Sequence, residues 1–214
     1  MFADSDEGRH EGAPVEVWWW WGHNPDATVG VYIGLELRGQ RLDYWAGLVR
    51  LGVPYLYVEE LDGTGLRAGL EIKPPQMWAD HGCDVPFMQW SLGNEAHGVM
   101  LDDPTEAWRT AYGRPVPVTF DVEWHASAPP TAIDARGYEQ MGEVDAHIET
   151  EEGLIEFVGL AGRLHKWGGP HLPAAFAMPV AGDGLRAPYR RSDGVHVDQV
   201  LARDGWFART VGTR

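Results

Sequence analysis

Nine histidines and one cysteine are the residues of this 214-residue chain that most directly suggest metal binding or nucleophilic catalysis. Their spacing matches no common site, because the chain has no HExxH or CxxC motif and Cys83 has no second cysteine. The sequence also lacks glycine-rich phosphate-binding loops and a G-x-S-x-G nucleophile elbow. We therefore predict no metal and no cofactor, with the histidines as ordinary residues of strands and loops.

Tryptophan is the unusual residue type, with 11 copies, four of them consecutive at Trp18 to Trp21. In a strand these four side chains alternate between two faces. Either one pair fills a core and the other packs on a neighbouring element, or the rings wall a pocket for a flat or polyunsaturated apolar ligand. The second interpretation predicts six ligand-binding residues: Trp18, Trp20, Tyr44, Trp45, Trp90 and Trp124.

The elements that must position these residues are predicted to be strands. The chain has 27 glycines and 15 prolines, which leave few windows long enough for an amphipathic helix. Alternating, β-branched segments separated by Asp-Gly turns favour an antiparallel barrel or sandwich. A short helix is predicted only at 104–112. The predicted strand segments are 29–37, 55–61, 69–72, 116–126, 142–149 and 154–160.

Within 116–126, the apolar residues face one way and Asp121, Glu123 and His125 face the other. Glu143, Asp145 and His147 share a face in the same manner. Either trio could line a lumen or face solvent, and the net charge of −15 favours solvent.

Domain organisation is predicted from breaks in these patterns. Residues 1–14 are polar and are expected to form a mobile tail. Residues 15–214 form the β domain. A proline-containing stretch at 127–137 is a candidate seam between two compressed lobes.

Composition excludes several classes of protein. The chain has 17 Lys+Arg against 32 Asp+Glu and no basic patch, which argues against nucleic-acid binding. An apolar run of about 18 residues is absent, so no membrane span is predicted. The acidic N-terminal sequence does not have the pattern of a signal peptide, and one cysteine cannot form an internal disulfide. These features predict a cytoplasmic protein.

Three short motifs carry a resemblance to a known family: Glu16-Val-Trp-Trp19, Tyr138-Glu-Gln140 and His165-Lys-Trp-Gly168. Their order and spacing are similar to those of the lipocalin-like superfamily that includes carotenoid hydratases of the hydroxyneurosporene synthase type and uncharacterised actinobacterial relatives. The resemblance implies a lipocalin-like antiparallel barrel. Two departures are evident: Leu164 replaces an aspartate that could orient the imidazole, and only 46 residues follow Gly168, which predicts a compressed or single-barrel version.

The resemblance also implies a cofactor-free proton-transfer site with His165 and Trp167 at the cavity. An aspartate and a tyrosine complete the family's site, and Asp193 and Tyr189 lie in the corresponding region. The neighbouring Arg163 and Lys166 are expected to lower the pKa of His165, which would suit a base or a hydrogen-bond donor. The alternative is a histidine that bonds a backbone carbonyl at a strand end.

These observations predict a protein that binds a hydrophobic polyene, terpenoid or polyketide-like molecule in an aromatic cavity. We expect it to catalyse a cofactor-independent cyclisation, isomerisation or hydration, as a hydratase, isomerase or cyclase. One alternative is a non-catalytic carrier of the same apolar ligand. The other is an interaction protein whose tryptophan run packs against a partner chain, for example in a homodimer.

Overall fold

Antiparallel strands make up most of the computed structural model, which describes residues 2–64, 66–67, 69–102, 106, 111–168, 185–190, 195–202 and 205–213. The first ten strands are β1 (Glu16–His23), β2 (Val29–Arg38), β3 (Arg41–Arg50), β4 (Tyr55–Gly63), β5 (Met77–Val85), β6 (Gln89–Leu101), β7 (Pro115–Ala126), β8 (Thr131–Asp134), β9 (Gly137–Thr150) and β10 (Gly153–Trp167). The last three are β11 (Leu185–Arg190), β12 (Val195–Ala202) and β13 (Gly205–Thr213). Among the described residues, no helix has the length and apolar character needed to cross a membrane.

The first ten strands form one sheet that closes on itself. Its strand order is β10-β1-β2-β3-β4-β6-β7-β9, and β9 pairs again with β10, which completes a ring of hydrogen bonds. Strand β5 pairs with the first half of β6, and β8 pairs with β9. Strands β11, β12 and β13 form a second, three-stranded antiparallel sheet. The predicted all-β, antiparallel, barrel-like fold is confirmed.

Five of the six predicted strand segments lie within β2, β4, β7, β9 and β10. The prediction for 69–72 is wrong. Gly69 has a φ of +70°, and Ile72 makes only isolated bridges to Leu66 and Ala79. A left-handed residue turns the chain, so this short apolar stretch cannot continue as a strand.

Two further predictions concern segments between strands. Most of the helix predicted at 104–112 lies outside the described residues. The stretch 127–137, expected as a seam between lobes, contains β8, which pairs with β9 in the main sheet. The chain on either side of this stretch therefore belongs to the same sheet.

The four consecutive tryptophans of β1 are divided between the two faces of the sheet, as alternation predicts. Trp18 and Trp20 belong to an interior cluster, which also contains Phe120 and the other apolar residues inside the ring. Trp19 and Trp21 belong to an outer cluster with Tyr32, Trp45, Tyr55, Tyr57 and Leu164. The outer cluster is buried, and strands β1 and β3 contact β13 and β11 of the second sheet.

Several strand glycines make room for these large rings. Gly34 of β2 lies directly opposite Trp45 of β3, and a Cβ on Gly34 would lie 2.1 Å from Cε2 of the indole. Gly162 of β10 lies opposite Trp21 in the same way, with a Cβ placed 2.4 Å from Cζ2. Part of the high glycine content therefore serves to let an indole lie flat across a neighbouring strand.

We expect the substitution Gly34→Ala to lower the free energy of unfolding by about 1–3 kcal/mol, because the new methyl group overlaps the Trp45 indole. Urea denaturation followed by tryptophan fluorescence measures this change. Gly82→Ala is the matched control, since Gly82 is also a strand residue and a Cβ there meets no atom within 4 Å. Equal effects of the two substitutions would contradict the steric explanation.

The N-terminal segment lies against the sheet, although its polarity predicted a mobile tail. Residues Asp4–Glu7 form a short 3-10 helix, in which the backbone N–H of Ala3 donates to the Asp6 carboxylate at 2.8 Å. Glu7 is only 3% exposed and pairs with Arg163 of β10. The physical reason for the difference is a buried charge, which holds this polar segment in place through a partner 156 residues away.

Candidate functional site

The three motifs that suggested a family come together at one end of the interior. Residue Glu16 of β1 lies opposite Trp167 of β10, and Trp18 lies opposite His165. On the other side of β10, Tyr138 of β9 lies opposite His165, and its neighbour on the same face, Gln140, lies opposite Arg163. Residues that lie opposite each other share a face of the sheet. Sheet pairing therefore collects these side chains inside the ring, where β1 begins and β10 ends.

His165 is oriented by a carboxylate from the neighbouring strand. Its side chain is fully buried, and Nε2 lies 2.9 Å from Oε1 of Glu16. The Trp18 ring stacks on the imidazole with centroids 4.5 Å apart. Glu16 thus supplies the orienting group that appeared to be missing at position 164. Leu164 itself belongs to the outer cluster, because adjacent strand residues face opposite ways.

The pKa of His165 is lowered, as predicted, but the predicted cause is wrong. Burial is the main reason, because the charged imidazolium loses its hydration. Each flanking cation forms an ion pair with another residue. Arg163 pairs with Glu7, and Nζ of Lys166 lies 2.5 Å from Oδ2 of Asp134. Glu16 acts in the opposite direction and raises the pKa of His165.

In neutral His165, the neighbouring groups determine which ring nitrogen carries the hydrogen. A carboxylate accepts hydrogen bonds, so Nε2 carries the hydrogen and donates it to Glu16. The lone pair is then on Nδ1, which lies 3.5 Å from the hydroxyl oxygen of Tyr138. This arrangement suits a base, and the predicted alternative of a bond to a backbone carbonyl is replaced by the contact with Glu16.

His10 also belongs to the site, although the sequence did not predict it there. Its Nδ1 lies 2.7 Å from Oε1 of Glu16, and its backbone N–H donates to Oε2 at 3.0 Å. The ring stacks on Trp167 with centroids 3.8 Å apart. Nothing in the polar segment around His10 distinguishes it, because its partners lie on β1 and β10.

His10, Glu16 and His165 are the group, within the described part of the chain, that could hold a metal ion. Their donor atoms lie within 4.8 Å of one another. Imidazole and carboxylate ligands of this kind suit zinc or iron. In the arrangement described, both imidazoles are hydrogen-bonded to the same carboxylate oxygen. The absence of a metal stays a prediction from the sequence.

The second buried carboxylate of this end is Glu7, and it is surrounded by donors. Arg163 binds it in bidentate fashion, with Nη1 2.6 Å from Oε2 and Nη2 2.6 Å from Oε1. Tyr138 and Trp90 donate to Oε2 at 2.9 and 3.2 Å, and the backbone N–H of Phe87 donates to Oε1 at 2.6 Å. Burial raises the pKa of Glu7, but hydrogen bonds and the charge of Arg163 outweigh it, so the pKa lies below its usual value.

The Arg163 side chain is itself held by neighbouring groups of the sheet. Oε1 of Gln140 accepts from Nε and Nη2 of the guanidinium at 3.1 and 2.7 Å. Nε2 of Gln140 donates to the carbonyl oxygens of Phe87 and Ala128, both at 2.8 Å. The guanidinium carbon lies 4.8 Å from the centroid of the Trp124 ring, a distance typical of a cation–π contact. Gln140 thereby fixes the orientation of a fully buried cation.

The structure brings together five of the six residues predicted to bind a ligand. Trp18, Trp20, Tyr44, Trp90 and Trp124 all belong to the interior cluster. Trp45 belongs to the outer cluster, because it follows Tyr44 directly in β3 and faces the other way.

Polar side chains also lie inside the ring among these aromatic residues. The sequence did not predict them there. His81 lies between Trp20 and Tyr44, with ring centroids 5.5 and 5.6 Å away, and burial lowers its pKa to about 4. Asn94 donates from Nδ2 to the Tyr44 hydroxyl at 3.0 Å. Oδ1 of Asn94 and Nε1 of Trp20 make no hydrogen bond with any described residue.

A cleft of about 320 Å³ lies beside the interior cluster, between β4 and the β5–β6 hairpin. Strand β4 pairs with β6 only over Tyr55 to Tyr57, so the two strands separate beyond that point. Three of the lining residues, Val58, Met77 and Ala96, also belong to the interior cluster. The remaining lining residues are Glu59, Glu60, Pro75, Gln76 and His97.

The other predicted residues are placed as follows. Trp167 is half-buried at the end of β10, against His10. Tyr189 is in β11, of whose side chains nothing is described, and Asp193 lies outside the described residues. Both acidic trios of β7 and β9 face outward, as the net charge predicted, and His147 pairs there with Asp145 and Glu156.

The end of the ring where β1 begins therefore holds two buried carboxylates, one buried guanidinium and an oriented imidazole, all among aromatic rings. This combination can bind an anion, transfer a proton and exclude water. Comparisons of the chain with protein-family models, with curated proteins and with solved structures found no match, so its function is proposed from this geometry.

Proposed function

We propose that this protein binds an apolar small molecule of the polyene, terpenoid or polyketide type and moves a proton on it without a cofactor. The observation that carries the proposal is the buried Glu16–His165 pair beside Trp18 and Tyr138. A neutral imidazole whose other nitrogen is held by a carboxylate is a standard arrangement for general-base catalysis.

Each group has a role in such a reaction. Nδ1 of His165 accepts a proton from a substrate carbon, and Glu16 stabilises the imidazolium that forms. Return of the same proton to another carbon completes an isomerisation or a cyclisation. In the hydration of a conjugated alkene, Nδ1 instead accepts a proton from water as the water oxygen adds to one carbon, and then delivers that proton to the neighbouring carbon. Burial raises the pKa of Tyr138, so its hydroxyl stays protonated and acts as a donor.

The aromatic residues support this chemistry in two ways. The face of Trp18 lies against the imidazole, and the π-face of an indole stabilises a nearby cation, whether imidazolium or carbocation. The interior tryptophans also exclude water, which strengthens the electrostatic effect of Glu16 on His165.

We expect His165→Ala to lower turnover by about 100-fold or more, because the variant has no base at this position. Candidate polyenes and terpenoid alcohols are incubated with the protein and analysed by mass spectrometry and chromatography for isomers and hydrates. Binding of the same compounds, measured by quenching of tryptophan fluorescence, should change little. His125→Ala, at an exposed position on β7, is the control and should leave both quantities unchanged.

An equal loss of turnover and affinity in His165→Ala would contradict a role for this residue in the chemical step. Turnover that persists in the variant would contradict the whole assignment of the base.

The alternative of a non-catalytic carrier is supported by a different observation. The unpartnered Oδ1 of Asn94 and Nε1 of Trp20 could hydrogen-bond a hydroxyl group of an otherwise apolar ligand. A carrier would release its ligand chemically unchanged. Native mass spectrometry of the purified protein, followed by extraction of any bound molecule, distinguishes this function from catalysis.

A further inference from the structure

Five hydrogen bonds from the main sheet converge on one carboxylate that does not belong to the sheet. Two come from Arg163 and one each from Tyr138, Trp90 and the backbone N–H of Phe87. These four residues belong to β6, β9, β10 and the turn before β6. We refer to them as the carboxylate seat. Its occupant, Glu7, comes from the N-terminal segment.

Groups other than Glu7 also hold the central residue of the seat, Arg163. Gln140 holds the Arg163 guanidinium through two hydrogen bonds and is anchored to two backbone carbonyls. The rings of Trp124, Tyr138 and Trp90 lie 4.8, 5.2 and 5.7 Å from the guanidinium carbon. These contacts do not neutralise the guanidinium, so without Glu7 it would be a buried positive charge that requires another counterion.

The N-terminal segment contacts the seat like a tethered ligand. Most of its residues are exposed, and it forms no strand of the sheet. Besides Glu7, two of its residues contact the sheet. Phe2 packs on Tyr138 and Trp167 with ring centroids 4.9 and 6.0 Å away. His10 stacks on Trp167 and hydrogen-bonds Glu16. The segment therefore presents a carboxylate with an apolar ring beside it.

We infer that Glu7 occupies the binding site of a carboxylate ligand, and that the protein's substrate is an apolar carboxylic acid. The ligand's carboxylate binds Arg163, Tyr138, Trp90 and the Phe87 N–H, and its hydrocarbon part covers Tyr138 and Trp167 in place of Phe2. This inference rests on the proposed function, for which it names the substrate class. It also explains why an anion seat lies beside the base, since Tyr138 contacts both Glu7 and His165.

The N-terminal segment is then an internal competitor. One guanidinium can neutralise one carboxylate, so Glu7 and a ligand carboxylate exclude each other from the seat. The apparent affinity for the ligand is reduced by the fraction of molecules in which Glu7 is bound.

The test is rescue of a Glu7→Ala variant by added carboxylates. We expect this variant to melt roughly 10 °C below the wild-type protein, because Arg163 has lost its counterion. Sodium acetate should raise its melting temperature, and sodium octanoate should do so at a concentration at least about tenfold lower because its chain also buries apolar surface. Sodium chloride at equal ionic strength should give no such rise.

Two comparisons complete the experiment. The wild-type protein and a Glu11→Ala variant, which changes an exposed glutamate of the same segment, should show no stabilisation by acetate. If Glu7→Ala does not fold, Glu7→Gln takes its place, and binding of a fluorescent polyene carboxylic acid is compared with binding of the matching alcohol. The carboxylic acid should then bind at least about tenfold more tightly than to wild type, with no change for the alcohol.

Each outcome decides the inference. Rescue by octanoate at lower concentration than acetate supports it. If acetate and octanoate stabilise the variant equally at one concentration, the ligand is not an apolar acid. If neither stabilises it, the seat is not a ligand site, and Glu7 and Arg163 form only a structural ion pair. None of these readouts measures turnover, so failure here is distinct from failure of the His165→Ala experiment.

Discussion

Replacement of Arg163 with methionine is expected to lower the free energy of unfolding by about 3–5 kcal/mol. The substitution keeps most of the apolar stem but leaves the Glu7 carboxylate buried without its cation. It also removes the two hydrogen bonds that Oε1 of Gln140 accepts from Arg163. Urea denaturation followed by tryptophan fluorescence measures the loss.

Two control proteins separate the buried charge from general effects of the substitution. Arg114→Met breaks an exposed ion pair with Glu151 and should cause no measurable change. The double variant Glu7→Met with Arg163→Met should recover much of the stability, because neither charge remains buried. A double variant as unstable as Arg163→Met would show that packing around the arginine, and not the unpaired carboxylate, causes the loss.

The second large effect is a loss of stability in mild acid through His81. Burial lowers the pKa of this histidine from 6.5 to about 4, so the unfolded chain binds a proton at a higher pH than the folded protein does. Stability is therefore complete above pH 6.5 and falls as the pH decreases toward 4. A shift of this size corresponds to about 3 kcal/mol between the two limits.

The substitution His81→Phe isolates this contribution, because phenylalanine fills the space between Trp20 and Tyr44 without a titrating group. Unfolding free energies of both proteins are measured at a series of pH values from about 7 to about 4. The decrease should be smaller in the variant by about 3 kcal/mol. His125→Phe, at an exposed position, should retain the full wild-type decrease, and parallel curves for wild type and His81→Phe would contradict the assignment.

The positions of the strands, and the face of the sheet on which each side chain lies, could be predicted from the local pattern of apolar and polar residues. Alternation has a period of two residues, so the separation of Trp18 and Trp20 from Trp19 and Trp21 follows from the order of residues alone. The exception, 69–72, shows the limit of such patterns, since the left-handed conformation of Gly69 outweighs a short apolar run.

Only part of the candidate site could be predicted from the sequence. Five of the six predicted aromatic residues lie in the interior cluster, and His165 is buried beside Trp18. Its partner could not be identified, because Glu16 is 149 residues away in sequence and is brought close by the pairing of β1 with β10. The same holds for His10, whose contacts depend on that pairing.

By itself, the sequence determined an antiparallel β protein with aromatic residues on both faces of its first strand, because these properties depend on near neighbours in the chain. Only the tertiary structure decided which charges are buried. A polar N-terminal segment carries Glu7 into the interior because Arg163 needs a counterion there, and the two residues meet through the closure of the ring. A charge is buried only where a partner distant in sequence neutralises it, so the residues next to it in the chain do not predict its burial.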